Sequence, residues 1–79
     1  MTAKVAAITG AYSGLGASLS RILARKGYSL VLGGRNKAEL EQFANEIKKT
    51  TITLTVAMDV RNKSDCERFI NKAEEIRPT

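Results

Sequence analysis

The sequence predicts an α/β fold of three layers, with three parallel strands in the order 3-2-1 and three helices. Two observations carry this. Short apolar runs alternate three times with segments of helical periodicity. Each connection is also long enough to hold a helix, which requires parallel pairing with helices packed on the sheet faces. Right-handed crossovers then place the second strand beside the first and the third beyond it.

Val5-Ala6-Ala7-Ile8 is a continuous apolar run ending at Thr9-Gly10, the pattern of a strand buried on both faces. A loop of small residues follows, from Gly10 to Gly16. Leu15, Leu19, Ile22 and Leu23 recur at helical spacing and predict the inner face of the first helix. Gly27 ends that helix, after Arg25 and Lys26, where cations suit the helix dipole. Tyr28 to Leu32 reads as the second strand, closed by Gly33-Gly34. Leu40, Phe43, Ala44 and Ile47 mark the second helix, with Lys48 and Lys49 at its C-terminal end.

The third strand has a different pattern. Ile52, Leu54, Val56 and Met58 alternate with Thr53, Thr55 and Ala57, so one face is less apolar, as at a sheet edge. Asp59-Val60 ends it. Ser64 or Asp65 is the expected cap of a third helix with Cys66, Phe69, Ile70, Ala73 and Ile76 inward, and Pro78 falls where that helix should finish.

With 79 residues the chain is one small domain or a piece of one. The net charge of +5 arises from 13 Lys and Arg against 8 Asp and Glu. These cations are scattered over predicted helix faces and beside strands, in no run of five or more, and the four aromatic residues are too dispersed for a base-stacking platform. A solvated basic surface is therefore expected, and no nucleic-acid partner. The absence of His excludes a His-based general base or metal site within these residues, and no metal site is expected. The single Cys66 fits a reducing compartment and reads as a buried structural thiol. With no signal segment and no apolar stretch near the ~20 residues of a membrane span, the expected location is the cytoplasm, away from membranes.

The loop Thr9-Gly10-Ala11-Tyr12-Ser13-Gly14-Leu15-Gly16 joins the first strand to the first helix. A phosphate can be held there by free backbone N–H groups at a helix N-terminus, aided by the helix dipole. Gly10 is expected to permit the tight exit from the strand. Gly14 would admit a pyrophosphate to the backbone, and Gly16 would let the helix lie close to the sheet. The spacing is neither G-x-G-x-x-G nor the phosphate loop ending in Gly-Lys-Ser/Thr. At the end of the second strand, about 20 residues past the glycines, an NAD-binding fold usually carries an Asp or Glu for the ribose 2′-OH. Here Gly34 is followed by Arg35, whose guanidinium suits a 2′-phosphate, with Asn36 and Lys37 offering a donor and a further charge. This favours NADP over NAD. Asp59 ends an apolar strand at the carboxyl edge of the sheet, where open α/β folds bind ligands. The Tyr12 ring is left open between covering a cofactor and lying on the surface.

T-G-x-x-x-G-x-G after an N-terminal strand, with Gly34-Arg35 after the second strand and Asp59-Val60 after the third, resembles the short-chain dehydrogenase/reductase family over essentially the whole chain. The resemblance implies a Rossmann-type fold, of which residues 1–79 would be the N-terminal portion, a truncated doubly wound sheet. It implies a nicotinamide dinucleotide as cofactor, with Gly10, Tyr12, Ser13, Gly14, Leu15, Gly16, Arg35, Asn36, Asp59 and Val60 as the binding set. The Asp59 counterpart contacts the adenine amino group, and the backbone of the next residue, Val60, lies nearby. NADP-preferring members often carry a second basic residue before the middle glycine, where this chain has Ser13.

The family's catalytic Ser, Tyr and Lys, with Tyr-x-x-x-Lys on a later helix, have no counterpart here: Gly16 stands four residues after Tyr12, and Leu32 four after Tyr28. The family's Asn-Asn-Ala-Gly segment would begin after Thr79. No residue present is assigned a catalytic role. Two readings of different class stand side by side. One is the NADP-binding part of an oxidoreductase acting on a carbonyl or alcohol substrate in the complete protein. The other is a nucleotide-binding remnant or truncated gene product without activity. Substrate, stereochemistry and any homo-oligomer of the complete protein lie outside these residues.

Overall fold

The computed structural model describes residues 4–76. Six elements follow in the order β1 (Val5–Thr9), α1 (Gly14–Arg25), β2 (Ser29–Gly34), α2 (Lys37–Ile47), β3 (Thr53–Ala57) and α3 (Lys63–Glu75). The strands form one parallel sheet with β2 between β1 and β3, the 3-2-1 order expected from right-handed crossovers. The register pairs Val5 with Ser29 and Thr9 with Gly33 on one side of β2, and Leu30 with Thr53 and Gly34 with Ala57 on the other.

Two cores flank the sheet and complete the three layers. On one face Ile8, Leu30 and Leu32 pack against Ala17 and Ala24 of α1 and the four predicted inner residues of α2, Leu40, Phe43, Ala44 and Ile47. On the other, Val31, Val56 and Met58 pack against Phe69 of α3, with Val5, Cys66, Ala73 and Ile76 partly buried beside them. Leu30, Val31 and Leu32 are fully buried, because β2 alone has a strand on each side and helices on both faces.

Several local expectations are corrected. β1 is not buried on both faces: Ile8 is buried, Val5 and Ala6 are half-buried, and Ala7 is exposed. Nothing among the described residues pairs with its second edge, which leaves the strand open to solvent along that side. The two glycines expected to close β2 belong to it and are buried. Ile52, assigned to the apolar face of β3, precedes the strand and is exposed, whereas Thr53 is buried with its hydroxyl donating to the Thr51 carbonyl (3.1 Å).

In α1 three of the four predicted inner residues face outward, and only Leu23 packs partly buried against the core. Leu15, Leu19 and Ile22 are 86%, 43% and 43% exposed, and the helix packs through Ala17, Ser20 and Ala24. At about 100° per residue these two stripes lie on nearly opposite sides of the helix. The small face wins because it allows close approach, and buried Ser20 satisfies its hydroxyl on the Gly16 carbonyl (2.7 Å). In α3, Ile70 is likewise exposed and Cys66 only partly buried, its thiol directed to the Val60 carbonyl at 3.4 Å.

The ends of the helices follow local chemistry. Gly27 (φ 91°) closes α1 by donating to Ala24, while Tyr28 donates to Leu23, the paired bonds of a Schellman cap. Asn36 and Asn62 cap α2 and α3, their side-chain oxygens accepting from the Glu39 and Asp65 N–H groups. The cap of α3 is therefore Asn62, not Ser64 or Asp65, which fall inside the helix begun at Lys63. Pro78 lies outside the described residues.

Candidate nucleotide site

The carboxyl ends of β1, β2 and β3 open onto a cleft of about 240 Å³ lined by residues from all three strand-to-helix connections, among them Gly10, Tyr12, Ser13, Gly34, Arg35 and Val60. A parallel sheet makes this convergence unavoidable, since every strand ends on the same side and each loop there leads to a helix N-terminus.

Gly10 leaves β1 with φ 63°, a left-handed conformation that a side chain would strain. Its carbonyl accepts both the Ser13 N–H (3.2 Å) and the Ser13 hydroxyl (2.8 Å). Ser13 is the N-cap residue of α1, yet its hydroxyl is turned back to the loop and caps no helix amide. The first turn of α1 also lacks an acidic residue, whereas α2 and α3 each have an Asn cap and a first-turn carboxylate, Glu39 and Asp65. The leading N–H groups of α1 thus meet no side-chain acceptor and face an external anion favourably.

The next two glycines differ in what surrounds them. A Cβ added at Gly14 meets nothing within 4 Å, so the space beside it is open. A Cβ at Gly16 would collide with the carbonyl of Gly10 and lie 3.2 Å from the Ala11 Cα. Gly16 therefore presses the start of α1 against the end of β1. Leu15, between them, projects outward.

Two contacts that the sequence did not disclose tie the glycine loop to β2. The Ala11 N–H donates to the Gly33 carbonyl at 3.3 Å, and the Tyr12 ring lies against Gly34. The Tyr12 hydroxyl accepts the Asn36 N–H at 3.0 Å. Gly33 is small for another reason, since a Cβ there would crowd the Met58 sulfur at 2.7 Å and Phe69 at 3.0 Å. Arg35 stands exposed at the cleft rim and makes no ion pair among the described residues. Asn36 donates its backbone N–H to Tyr12 and its side-chain oxygen accepts from Glu39 in the α2 cap, which fixes the turn that carries Arg35.

Asp59 is locked by Arg61. The guanidinium donates to both carboxylate oxygens (3.1 and 2.9 Å), and the Arg61 backbone N–H adds a third bond (2.9 Å). The Arg61 guanidinium and backbone hydrogen bonds hold the Asp59 carboxyl far below the usual carboxylate range; desolvation opposes them, and the charges of Arg61 and Arg35 add weaker lowering effects. The Asp59 N–H in turn donates to Asp65 (3.0 Å), whose other oxygen pairs with Arg68 (3.3 Å). Val60 is 61% exposed and closes the cleft on the β3 side. Seven of the ten predicted site residues thus lie in the strand-to-helix connections at one end of the sheet, and Gly14, Leu15 and Gly16 form the first turn of α1 at that same end. Among the described residues no cluster of three metal-ligating side chains forms, and no helix is long and apolar enough to cross a membrane.

The family profile described as "short chain dehydrogenase" matches residues 4–78. An uncharacterized oxidoreductase of Staphylococcus aureus (strain USA300) is 37% identical over 75 residues, which are 95% of this chain and 32% of that protein. The alcohol dehydrogenase of the archaeon Thermococcus sibiricus, solved with 5-hydroxy-NADP, superimposes with a TM-score of 0.84 at 39% identity, over 91% of this chain and 32% of that one. The 3-ketoacyl-(acyl-carrier-protein) reductase of Brucella melitensis, solved with NADH, gives 0.82 at 36% identity, over 91% and 29%. The chain thus spans about a third of the length of the proteins it matches.

Proposed function

The chain belongs to the short-chain dehydrogenase family, and on that premise we propose that it forms the NADP-binding part of an oxidoreductase acting on a carbonyl or alcohol substrate. When bound, the dinucleotide supplies the hydride exchanged with that substrate. This chain's own residues hold and orient it. The free N–H groups at the start of α1, reached past Gly14, take the pyrophosphate. Arg35 takes the 2′-phosphate, Asp59 and the Val60 backbone flank the adenine, and Tyr12 and Ser13 shape the loop between them.

The observation that carries the reading is the uncapped, acid-free N-terminus of α1 opening onto a cleft whose rim bears an Arg without an ionic partner and no carboxylate at the end of β2. Relatives solved with an NADP derivative and with NADH show that the family as a whole accommodates either dinucleotide. The preference here rests on Arg35. A charge-assisted, bidentate contact to a phosphate contributes about 1.5–3 kcal/mol, so Arg35→Asp should lower affinity for NADPH roughly tenfold to a hundredfold and raise that for NADH. Titration of both cofactors into both forms measures this. An unchanged ratio would remove Arg35 from the site.

A further inference from the structure

Beyond shaping its own loop, Tyr12 makes a specific contact between the two cofactor loops. Three links join residues 11–12 to residues 33–36. They are the Ala11 N–H on the Gly33 carbonyl (3.3 Å), the Tyr12 ring on Gly34, and the Tyr12 hydroxyl accepting the Asn36 N–H (3.0 Å). The last two bracket Arg35. A Cβ at Gly34 would collide with Tyr12 Cε1 and lie 3.1 and 3.3 Å from Cδ1 and Cζ, so the glycine before the arginine is required by the ring. Asn36 is held from its other side too, as the cap of α2 through Glu39 (3.1 Å).

We infer that Tyr12 is a positioning residue that fixes the backbone at Arg35 and thereby sets discrimination for an adenosine ligand carrying a 2′-phosphate. The inference rests on the reading of Arg35 given above and adds a second residue to it. The physical gain is preorganisation. An Arg on an unanchored turn must lose backbone and side-chain freedom when it grips a phosphate, and a turn already fixed by a ring and a hydrogen bond loses less. Filling space beside Gly34 needs only a phenyl ring. The hydroxyl adds the one bond that reaches past Arg35 to the next residue, so the hydroxyl and the ring can be tested apart.

The experiment is calorimetric titration of the chain with adenosine 2′,5′-bisphosphate and with AMP, together with amide hydrogen exchange on the same samples. Wild type should bind the bisphosphate more tightly. Tyr12→Phe should weaken the bisphosphate about threefold to tenfold more than it weakens AMP, and speed exchange at Asn36. Gly34→Ala should also reduce the ratio, and should have no further effect in a Tyr12→Ala background, where the ring it strikes is gone. An unaltered ratio in Tyr12→Phe, or a full Gly34→Ala effect without the ring, overturns the inference while leaving Arg35 in place. Loss of exchange protection throughout Tyr12→Phe also overturns it, because the hydroxyl would then support the fold as a whole. Equal affinity of wild type for the two ligands would defeat the Arg35 reading and the inference with it.

Discussion

The Asp59–Arg61 pair shows how a single residue can be found by sequence while its state is not. Asp59 stands out as the acid that ends an apolar strand, but its bidentate partner lies two residues on, in a turn where no spacing rule predicts pairing. The carboxylate is thus committed before any ligand arrives, and contact with an adenine amino group would share it with Arg61. The native chain holds its proton more weakly than the unfolded chain does. The pair therefore supports the fold above the ordinary Asp range, near pH 4, and that support fades as pH falls through the depressed native value. In Arg61→Ala the Asp59 carboxyl should titrate appreciably higher, toward the ordinary range, as followed by carboxyl chemical shifts against pH. An unmoved titration would mean that Arg61 is not what holds it. Gly34 teaches a related lesson. It reads as punctuation at a strand end, whereas its size is dictated by Tyr12, 22 positions earlier, through a contact that exists only once β1 and β2 are in register.

At the scale of elements, legibility depended on where large apolar residues lay. In α2 the four apolar positions form one stripe, and all four are buried. In α1 the leucines and isoleucine advertise one face while alanines and a serine carry the packing on the other, because close approach needs small residues, which hydropathy barely registers. The cap of α3 failed for a different reason: Asn62, Ser64 and Asp65 are all good capping types, and only backbone geometry selects Asn62. Gly16 is the element-scale counterpart of these small residues. Adding a methyl there would drive α1 away from the Gly10 carbonyl, so Gly16→Ala should destabilise the chain by about 1–3 kcal/mol, measurable by denaturant unfolding. Wild-type stability in that variant would show that α1 can shift without cost.

For the whole molecule, strand order and layering were legible because connection rules admit few alternatives, and the placement of all ten predicted residues at one end follows from parallel strands ending together. The chain spans about a third of the length of the proteins it matches. One consequence belongs to the isolated chain. Among the described residues β1 is paired on one side only, and Leu15, Leu19 and Ile22 form an exposed apolar stripe on α1. An open apolar edge is a template for pairing with another chain, and the opposing net charge of +5 is screened within about 8 Å at physiological salt. Dimers or larger species should therefore appear in sedimentation as concentration rises. A monomer with slowly exchanging amides from Val5 to Ile8 would show that this edge is covered.

The central claim, that the loops at the carboxyl end of this sheet hold a nicotinamide dinucleotide phosphate, is met most directly by following the backbone amides of the labelled chain during addition of NADPH. Saturable shifts should concentrate at Gly10–Gly16, Arg35–Asn36 and Asp59–Val60, occur at lower concentration with NADPH than with NADH, and vanish in folded Gly14→Val, whose side chain fills the space now open beside that glycine. Shifts confined to the opposite end of the sheet, or persisting unchanged in Gly14→Val, would contradict it.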